Sequence, residues 1–202
     1  MALFYYNSFI NRLNRLHRRN NKDFIMNLPL AWGKKVSAEF REILYQGCAN
    51  MGWTERAASY LMACMAFESA ESFNPAIKNM AGSSGTGLIQ FMDATAKDLG
   101  TTTAELARMT PEQQLRWVFK YFDQFAKLKT PMVKLSDIYM GILKPKYIGA
   151  SDETLIIISP AEFRPNSGLD TNKDNAISKA EAASKVEAML EKGYGNKFCY
   201  RE

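Results

Sequence analysis

Histidine is almost missing from this sequence: the chain of 202 residues has one, His17. A Ser–His–Asp triad, a Cys–His pair or a histidine-based zinc site would have to recruit that side chain from a basic N-terminal stretch. Cysteine is scarce as well, since Cys48, Cys64 and Cys199 form no metal-like spacing and their odd number leaves a disulfide framework incomplete. These absences argue against a peptidase or amidase that depends on zinc or on a Cys–His pair.

Long apolar runs are also absent, and none approaches the roughly 18–20 residues that a membrane-spanning helix needs. The basic residues of the N-terminus follow the short apolar stretch Leu3–Ile10, whereas a secretory signal carries them before it. We therefore expect no signal peptide. If the protein works outside the cytoplasm, a phage virion or a pore opened by another protein (a holin) would deliver it.

Positive charge is concentrated at the start of the chain. The net charge is +5, and residues 1–35 hold seven Lys or Arg against a single acid, Asp23. A positive excess helps a protein to find polyanions. We interpret residues 1–30 as a basic arm, either a solvated helix face or a docking element for virion proteins or a membrane. Nucleic acid is not the partner that we expect.

Helical periodicity dominates the rest of the chain, so the predicted fold class is mainly α. Thr54 is a good cap for the helix that leads to Glu68, and Thr110 with Pro111 and Gln113 is a good helix start. We predict three regions: the arm, a helical domain over 31–160 and a C-terminal region over 161–202. The predicted elements are helices at about 36–50, 55–70, 87–99, 111–128 and 135–143, a loop over 72–86 and a short strand over 154–158.

Glu68 lies near the end of the second predicted helix, after an apolar run that ends in AFE. A glycine-rich stretch, AGSSGTG, follows and predicts a loop. A carboxylic acid in such a place is partly desolvated, and desolvation raises its pKa. The pattern therefore predicts a general acid that is protonated near neutral pH, and the alternative is a solvated or helix-capping carboxylate.

Motifs around Glu68 extend this prediction. They are Glu68-Ser69, Phe73, Pro75, the loop at 81–87, the run Gly87-Leu88-Ile89-Gln90-Phe91-Met92, Thr95-Ala96, the segment Thr110–Leu115 and the segment Asp137–Met140. Together they resemble the catalytic core of peptidoglycan lytic transglycosylases of the lysozyme-like superfamily, especially those of phages and prophages. The resemblance covers about residues 36–150 and implies a lysozyme-like helical domain.

The resemblance implies a reaction and a site. Glu68 would protonate the β-1,4 glycosidic bond between N-acetylmuramic acid and N-acetylglucosamine and then act as base, without a catalytic cofactor. Gln90, Phe91 and Tyr139 would line the substrate cleft. Attack by the muramic 6-hydroxyl gives a 1,6-anhydro product, whereas attack by water makes the enzyme a muramidase. A virion module that binds the wall without cutting it is the third possibility, and the bacterial wall, in the periplasm, is the expected place of action.

Glu71 competes with Glu68 for the catalytic role, because a serine follows both residues. In the phage pattern the catalytic Glu stands seven residues before the Pro. Counting back from Pro75 selects Glu68, and Glu71 is then expected to be an exposed loop carboxylate.

A second motif, DTNKDNAISKAE, lies at residues 170–181 and has the spacing of an EF-hand calcium loop. Asn175 takes the sixth position, where the loop needs a positive φ that Asn tolerates well. We predict a structural Ca²⁺ site, and the alternative is a polar turn that caps the last helix. The expected ligands are Asp170, Asn172, Asp174, the Ala176 carbonyl, Ser178 and Glu181.

Overall fold

In the computed structural model, the described residues are 28–79, 82–126, 132 and 134–201. Most of the predicted basic arm, including His17, lies outside these residues and stays a prediction. Within them the protein is mainly helical, which confirms the predicted fold class. The α-helices of the described part are α1 (Ala38–Asn50), α2 (Glu55–Glu68), α3 (Asp93–Asp98), α4 (Thr103–Leu106), α5 (Pro111–Asp123), α6 (Leu135–Leu143), α7 (Pro160–Asn166) and α8 (Lys179–Gly193).

Polar caps mark the starts of α1 and α5, whereas Thr54, the cap expected for α2, makes no side-chain cap hydrogen bond. Ser37 accepts a hydrogen bond from the Phe40 N–H at the start of α1. Thr110 and Gln113 form the reciprocal capping box of α5, with Pro111 in the first turn. Each cap satisfies backbone N–H groups that have no partner inside the helix.

Helix α2 is the centre of the core, and nine of its residues are buried. It packs against α1, α6 and, most extensively, α8, while α5 packs against α1. A helix that is apolar on nearly all sides must be covered on all sides. Glu68, the last residue of this buried helix, lies where the helix ends and is partly exposed.

The helix expected at about 87–99 starts later, at Asp93. Gly87 and Gln90 have φ values of 77° and 53°, which belong to left-handed backbone and not to a right-handed helix. This stretch is a turn, and it is stabilised by short bridges that join Thr86 to Lys78 and to Phe91.

One two-stranded antiparallel sheet is present in the described residues. Its strands are β1 (Leu155–Ile157), as expected from the sequence, and β2 (Ile177–Ser178). Beside it, the fully buried Lys179 donates from Nζ to Asp137 Oδ1 at 2.5 Å and to the Ala150 carbonyl at 2.9 Å. This buried ion pair joins the start of α8 to α6, and breaking one partner of such a pair is costly.

A clasp formed by residues 30–34 and 189–200 closes the fold. Leu30 and Tyr200 exchange backbone hydrogen bonds of 2.9 and 3.0 Å, and the Trp32 indole N–H donates to the Met189 carbonyl at 2.8 Å. Trp32 is completely buried, and a Cβ on Gly193 would come within 2.4 Å of its ring. Glycine at the end of α8 thus makes room for the tryptophan. None of the helices in the described ranges has the length and apolarity needed to cross a membrane.

Candidate active site

Glu68 is the last residue of α2, and its side chain is only partly exposed. Among the described residues its carboxylate accepts no hydrogen bond and forms no ion pair. Burial raises the pKa of this carboxyl from 4.5 to about 7, because the surrounding protein solvates the charged form poorly. A group of this kind holds a proton near neutral pH and still reaches the surface, as a general acid must.

The negative charge of Glu68 raises the pKa values of two neighbouring residues, Tyr139 and Cys64. The pKa of the Tyr139 hydroxyl is raised well above 10, first by burial and then by the negative charge of Glu68. Cys64, one helical turn before Glu68, is shifted in the same direction for the same reasons. The Phe67 ring contacts the edge of Tyr139 at a centroid distance of 5.9 Å. Helices α2 and α6 therefore bring Glu68 and Tyr139 close together.

The loop after Glu68 has an unusual backbone. Ala70, Glu71 and Phe73 have φ values of 47°, 63° and 51°, in the left-handed region that non-glycine residues seldom adopt. The Ser69 hydroxyl stabilises the loop by accepting a 3.0 Å hydrogen bond from the Phe73 N–H, and both residues are buried. Strained backbone of this kind concentrates at functional sites.

Glu71 differs from Glu68 in its electrostatics. Its carboxylate pairs with Lys192 at 2.5 Å, and about a third of its side chain is exposed. Glu71 is thus paired with a lysine, whereas the Glu68 carboxylate has no ion-pair partner among the described residues. The geometry favours Glu68 over Glu71 as the acid.

Gln90 lies at the tip of the turn that precedes α3. Its Nε2 donates to the Gly87 carbonyl at 3.1 Å, and its Oε1 is buried without a hydrogen-bond partner among the described residues. A buried acceptor of this sort is desolvated, and no protein hydrogen bond among the described residues compensates for the loss of water. Gln90 is therefore prepared to accept a hydrogen bond from a ligand.

Phe91 lies beneath the turn instead of facing out of it. Its side chain is 2% exposed and contacts the Tyr121 ring edge-on at 6.3 Å. Tyr139 is buried to the same degree, and direct contact with substrate stays a prediction for Gln90, Phe91 and Tyr139.

Sequence reasoning missed Gln114, which is completely buried and makes three hydrogen bonds to the loops around the site. A signal for it was present in the sequence. On α5, Gln114 shares a stripe with Val118 and Tyr121, so it is a polar residue on an apolar helix face. A buried polar group in that position must have partners.

A family model described as phage tail lysozyme matches residues 39–144, just over half of the chain. This chain belongs to the phage tail lysozyme family. No curated protein and no solved structure matches it. The matched segment contains Glu68, Gln90, Gln114 and Tyr139, so the site described above lies wholly within the region shared with the family. Membership implies a lysozyme-like domain that acts on peptidoglycan.

The predicted calcium loop lies outside the segment matched by the phage tail lysozyme family. Its backbone has features of such a loop: Asn175 has a φ of 65°, and Ile177 pairs with β1. Its carboxylates, however, bond to the loop's own N–H groups. Asp170 accepts from Lys173 and Asn175.

Glu181 is held in the same way. Its carboxylate accepts from the N–H and hydroxyl of Ser178, the N–H of Asn172 and the hydroxyl of Thr171, and these bonds lower its pKa to about 2 against the opposing effect of burial. Nowhere in the described part of the chain do three or more His, Cys, Asp or Glu side chains gather closely enough to hold a metal. The calcium site stays a prediction: Asn175 and Ile177 have the backbone features of such a loop, and the carboxylates now accept hydrogen bonds from the N–H groups of the loop.

Proposed function

We propose that this protein cleaves the β-1,4 bond between N-acetylmuramic acid and N-acetylglucosamine in bacterial peptidoglycan, with Glu68 as acid and base. The observation that carries the proposal is the partly buried, unpaired Glu68, whose pKa is raised to about 7. Its position in the segment matched by the phage tail lysozyme family supports the same reaction.

In the first step, Glu68 donates its proton to the glycosidic oxygen as the bond from that oxygen to C1 breaks. The bonding electron pair leaves with the oxygen, and positive charge develops on C1. The 2-acetamido oxygen of the same sugar stabilises that charge. In the second step, the Glu68 carboxylate takes the proton of the muramic 6-hydroxyl as its oxygen attacks C1, which leaves a 1,6-anhydro end.

Support for a mechanism with one carboxylate comes from the electrostatics of Glu68. Burial is the cause of its raised pKa, and no acid in the described ranges contributes to it. Glu71 is paired with Lys192, and Asp93 is exposed and accepts from the Thr103 hydroxyl. A glycosidase with two carboxylates would place the second within about 5–10 Å of the first. Substrate assistance replaces that second group.

Gln90 and Tyr139 take the supporting roles. We assign the unpaired Oε1 of Gln90 to the N–H of an acetamido group, which is a donor that peptidoglycan presents on every sugar. The Tyr139 hydroxyl is kept neutral by its raised pKa and would donate to the Glu68 carboxylate after proton transfer.

The deciding experiment is mass spectrometry of the muropeptides that the protein releases from purified sacculi. The transglycosylase predicts 1,6-anhydro ends and no uptake of water. Reducing ends instead would make the protein a muramidase, which the name of its family favours. Release of neither product, together with binding to sacculi, would identify a wall-binding virion module. Glu68→Gln is the control for contaminating activity.

A structural calcium ion at residues 170–181 is a separate proposal. The side-chain oxygens of Asp170, Asn172, Asp174 and Glu181 and the Ala176 carbonyl would hold it, with Ser178 acting through water. The positive φ of Asn175 and the pairing of Ile177 support it. Calcium that binds only the folded state raises stability by about 2.7 kcal/mol at a hundredfold excess over Kd.

The test is thermal melting with calcium and with chelator. We expect Tm to rise with calcium, and Asp170→Ala or Glu181→Ala to abolish that rise. Asp123→Ala removes an exposed acid from α5 and is the matched control. An identical calcium response in Asp170→Ala and Asp123→Ala would exclude a site in this loop, and so would the absence of any response.

We further propose that the protein is phage-encoded and reaches the periplasm through a virion or a holin, with residues 1–30 contacting virion proteins or membrane. Membership of a phage tail family supports a route through the virion. Deleting residues 1–27 should abolish particle association and leave cleavage of purified sacculi intact. Unchanged association with particles would refute the docking role.

A further inference from the structure

Gln114 is a polar side chain buried among apolar neighbours. It is completely buried in the first half of α5, next to the buried Leu115 and Val118. A buried carboxamide needs partners for its oxygen and for its nitrogen, because an unpaired polar group costs about 1–3 kcal/mol. Gln114 finds those partners in three other segments of the chain.

Three hydrogen bonds fix the carboxamide of Gln114. Its Nε2 donates to the carbonyls of Pro75 at 3.0 Å and Leu106 at 2.8 Å. Its Oε1 accepts from the Leu88 N–H at 2.7 Å. The two bonds from Nε2 fix the plane of the carboxamide. Because that plane is fixed, the bond from the Leu88 N–H to Oε1 also fixes the turn that carries Gln90.

One peptide unit connects Gln114 to Gln90. The N–H of the Gly87–Leu88 peptide is held by Gln114, and the carbonyl of the same unit accepts from Gln90 Nε2 at 3.1 Å. A peptide unit is planar, so fixing its N–H fixes the direction of its carbonyl. With Nε2 occupied, the orientation of the Gln90 carboxamide is set, and Oε1 has no partner within the part of the chain that the structure describes.

Gln114 packs closely against the backbone of Gly87. Gly87 has a φ of 77°, and a Cβ at this position would lie 2.2 Å from Gln114 Oε1. The carboxamide is therefore pressed directly against the peptide that it orients.

We propose that Gln114 is a positioning residue for the glycan site, which orients the Gln90 carboxamide through the Gly87–Leu88 peptide. The inference rests on the proposed function, in which Gln90 Oε1 receives an N–H of the sugar. Gln114 touches no substrate itself, and its contribution to binding passes through Gln90.

A double-mutant cycle on kcat/KM tests this connection. Gln114→Met keeps the length of the side chain and removes all three hydrogen bonds, whereas Gln90→Ala removes the proposed acceptor. We expect each variant to lower kcat/KM about tenfold or more, as the loss of one hydrogen bond implies. In the Gln90→Ala background, Gln114→Met should cost less than about threefold, because the two residues act as one unit.

Two controls separate positioning from stability. Gln113→Ala removes a helix-capping side chain next door, where Gln113 Oε1 accepts from the Thr110 N–H. It should lower Tm without changing kcat/KM in the folded protein. Gln114→Glu keeps an acceptor for Leu88 but sets an oxygen against the carbonyls of Pro75 and Leu106, so it should also lower kcat/KM. Should Gln114→Met fail to fold, the same cycle is run with Gln114→Glu, and losses that are independent of Gln90→Ala in that cycle would overturn the proposal.

Binding provides a readout that needs no catalysis. The probe is an N-acetylglucosamine trimer, titrated calorimetrically into Glu68→Gln and into Glu68→Gln/Gln114→Met. We expect Kd to rise about tenfold in the second protein. If the parent variant binds no trimer and the native protein cuts no wall, the proposed function itself is wrong. If Glu68→Gln binds the trimer, the native protein cleaves the wall and Gln114→Met changes neither, only the positioning role is refuted. The same holds if the losses in kcat/KM caused by Gln90→Ala and Gln114→Met are independent of each other.

Discussion

Replacement of Glu68 by Gln predicts a change in stability as well as in activity. In the folded protein, burial raises the pKa of the Glu68 carboxyl from its ordinary value of 4.5 to about 7. Between these values the folded state holds a proton that the unfolded state has released. A raised carboxyl pKa therefore means that stability falls as pH rises through this window and stays low above it.

The magnitude follows from the size of the shift. One pKa unit corresponds to 1.36 kcal/mol, so a rise from 4.5 to about 7 costs the native protein about 3 kcal/mol at alkaline pH. Gln is uncharged at every pH and avoids this cost. For a chain of this size 1 kcal/mol is about 2–4 °C in Tm, so Glu68→Gln should melt roughly 6–12 °C above the native protein at pH 8.5.

The assay is thermal melting of both proteins at pH 5 and pH 8.5. All other titrating groups are the same in the two proteins and cancel in the difference. The gap in Tm should be small at pH 5 and should widen by pH 8.5, while wall lysis by the variant is abolished. An equal gap at the two pH values would show that the Glu68 carboxyl is not in an environment that raises its pKa. Glu71→Gln, which removes a carboxylate paired with Lys192, should show no such widening.

Three further outcomes are expected. Cleavage should fall about tenfold per pH unit above roughly pH 7, as Glu68 loses its proton, and lysis that increases up to pH 9 would contradict its role as acid. Glu68→Gln should lose at least about a hundredfold in lysis of sacculi, whereas Glu71→Gln should stay within about twofold of the native rate, and the opposite order would reassign the acid. Gly87→Ala should lower both Tm and activity, because its Cβ would meet Gln114 at 2.2 Å. Gly52→Ala, with a similar φ of 69° and no atom within 4 Å, should lose only about 1–2 kcal/mol of stability, so equal losses would show that the contact with Gln114 is unimportant.

Local signals predicted much of the fold. Thr110, Pro111 and Gln113 mark the start of α5 because capping depends on residues three positions apart. The apolar run before Glu68 identified α2 as a buried helix, because a helix that is apolar on nearly all sides must be covered by other parts of the chain. Helix α7 is not among the predicted elements, although Ser159 caps it and Pro160 begins it, and it contains Pro165, a residue that disfavours the interior of a helix.

The site was predictable only in part. The sequence pattern indicated Glu68 and Tyr139, but their electrostatic coupling depends on the packing of α2 against α6. The turn at Gly87–Gln90 was mistaken for the start of a helix, because nothing local shows that Gln90 adopts a positive φ. The bond from Gln114 to Leu88 joins positions 26 residues apart, and only the folded chain brings them together.

The clasp between residues 30–34 and 189–200 bears on how the protein is made. Its partners are separated by nearly the whole described chain, and both lie outside the segment that the family shares. Contacts between distant parts of a sequence form late, because the intervening chain must be ordered first. On the ribosome, the pocket around Trp32 cannot close until Tyr200 has emerged, whereas helices α1–α6 can already pack. Burial of the Trp32 indole should therefore report the last event of folding, after the site around Glu68 has taken shape.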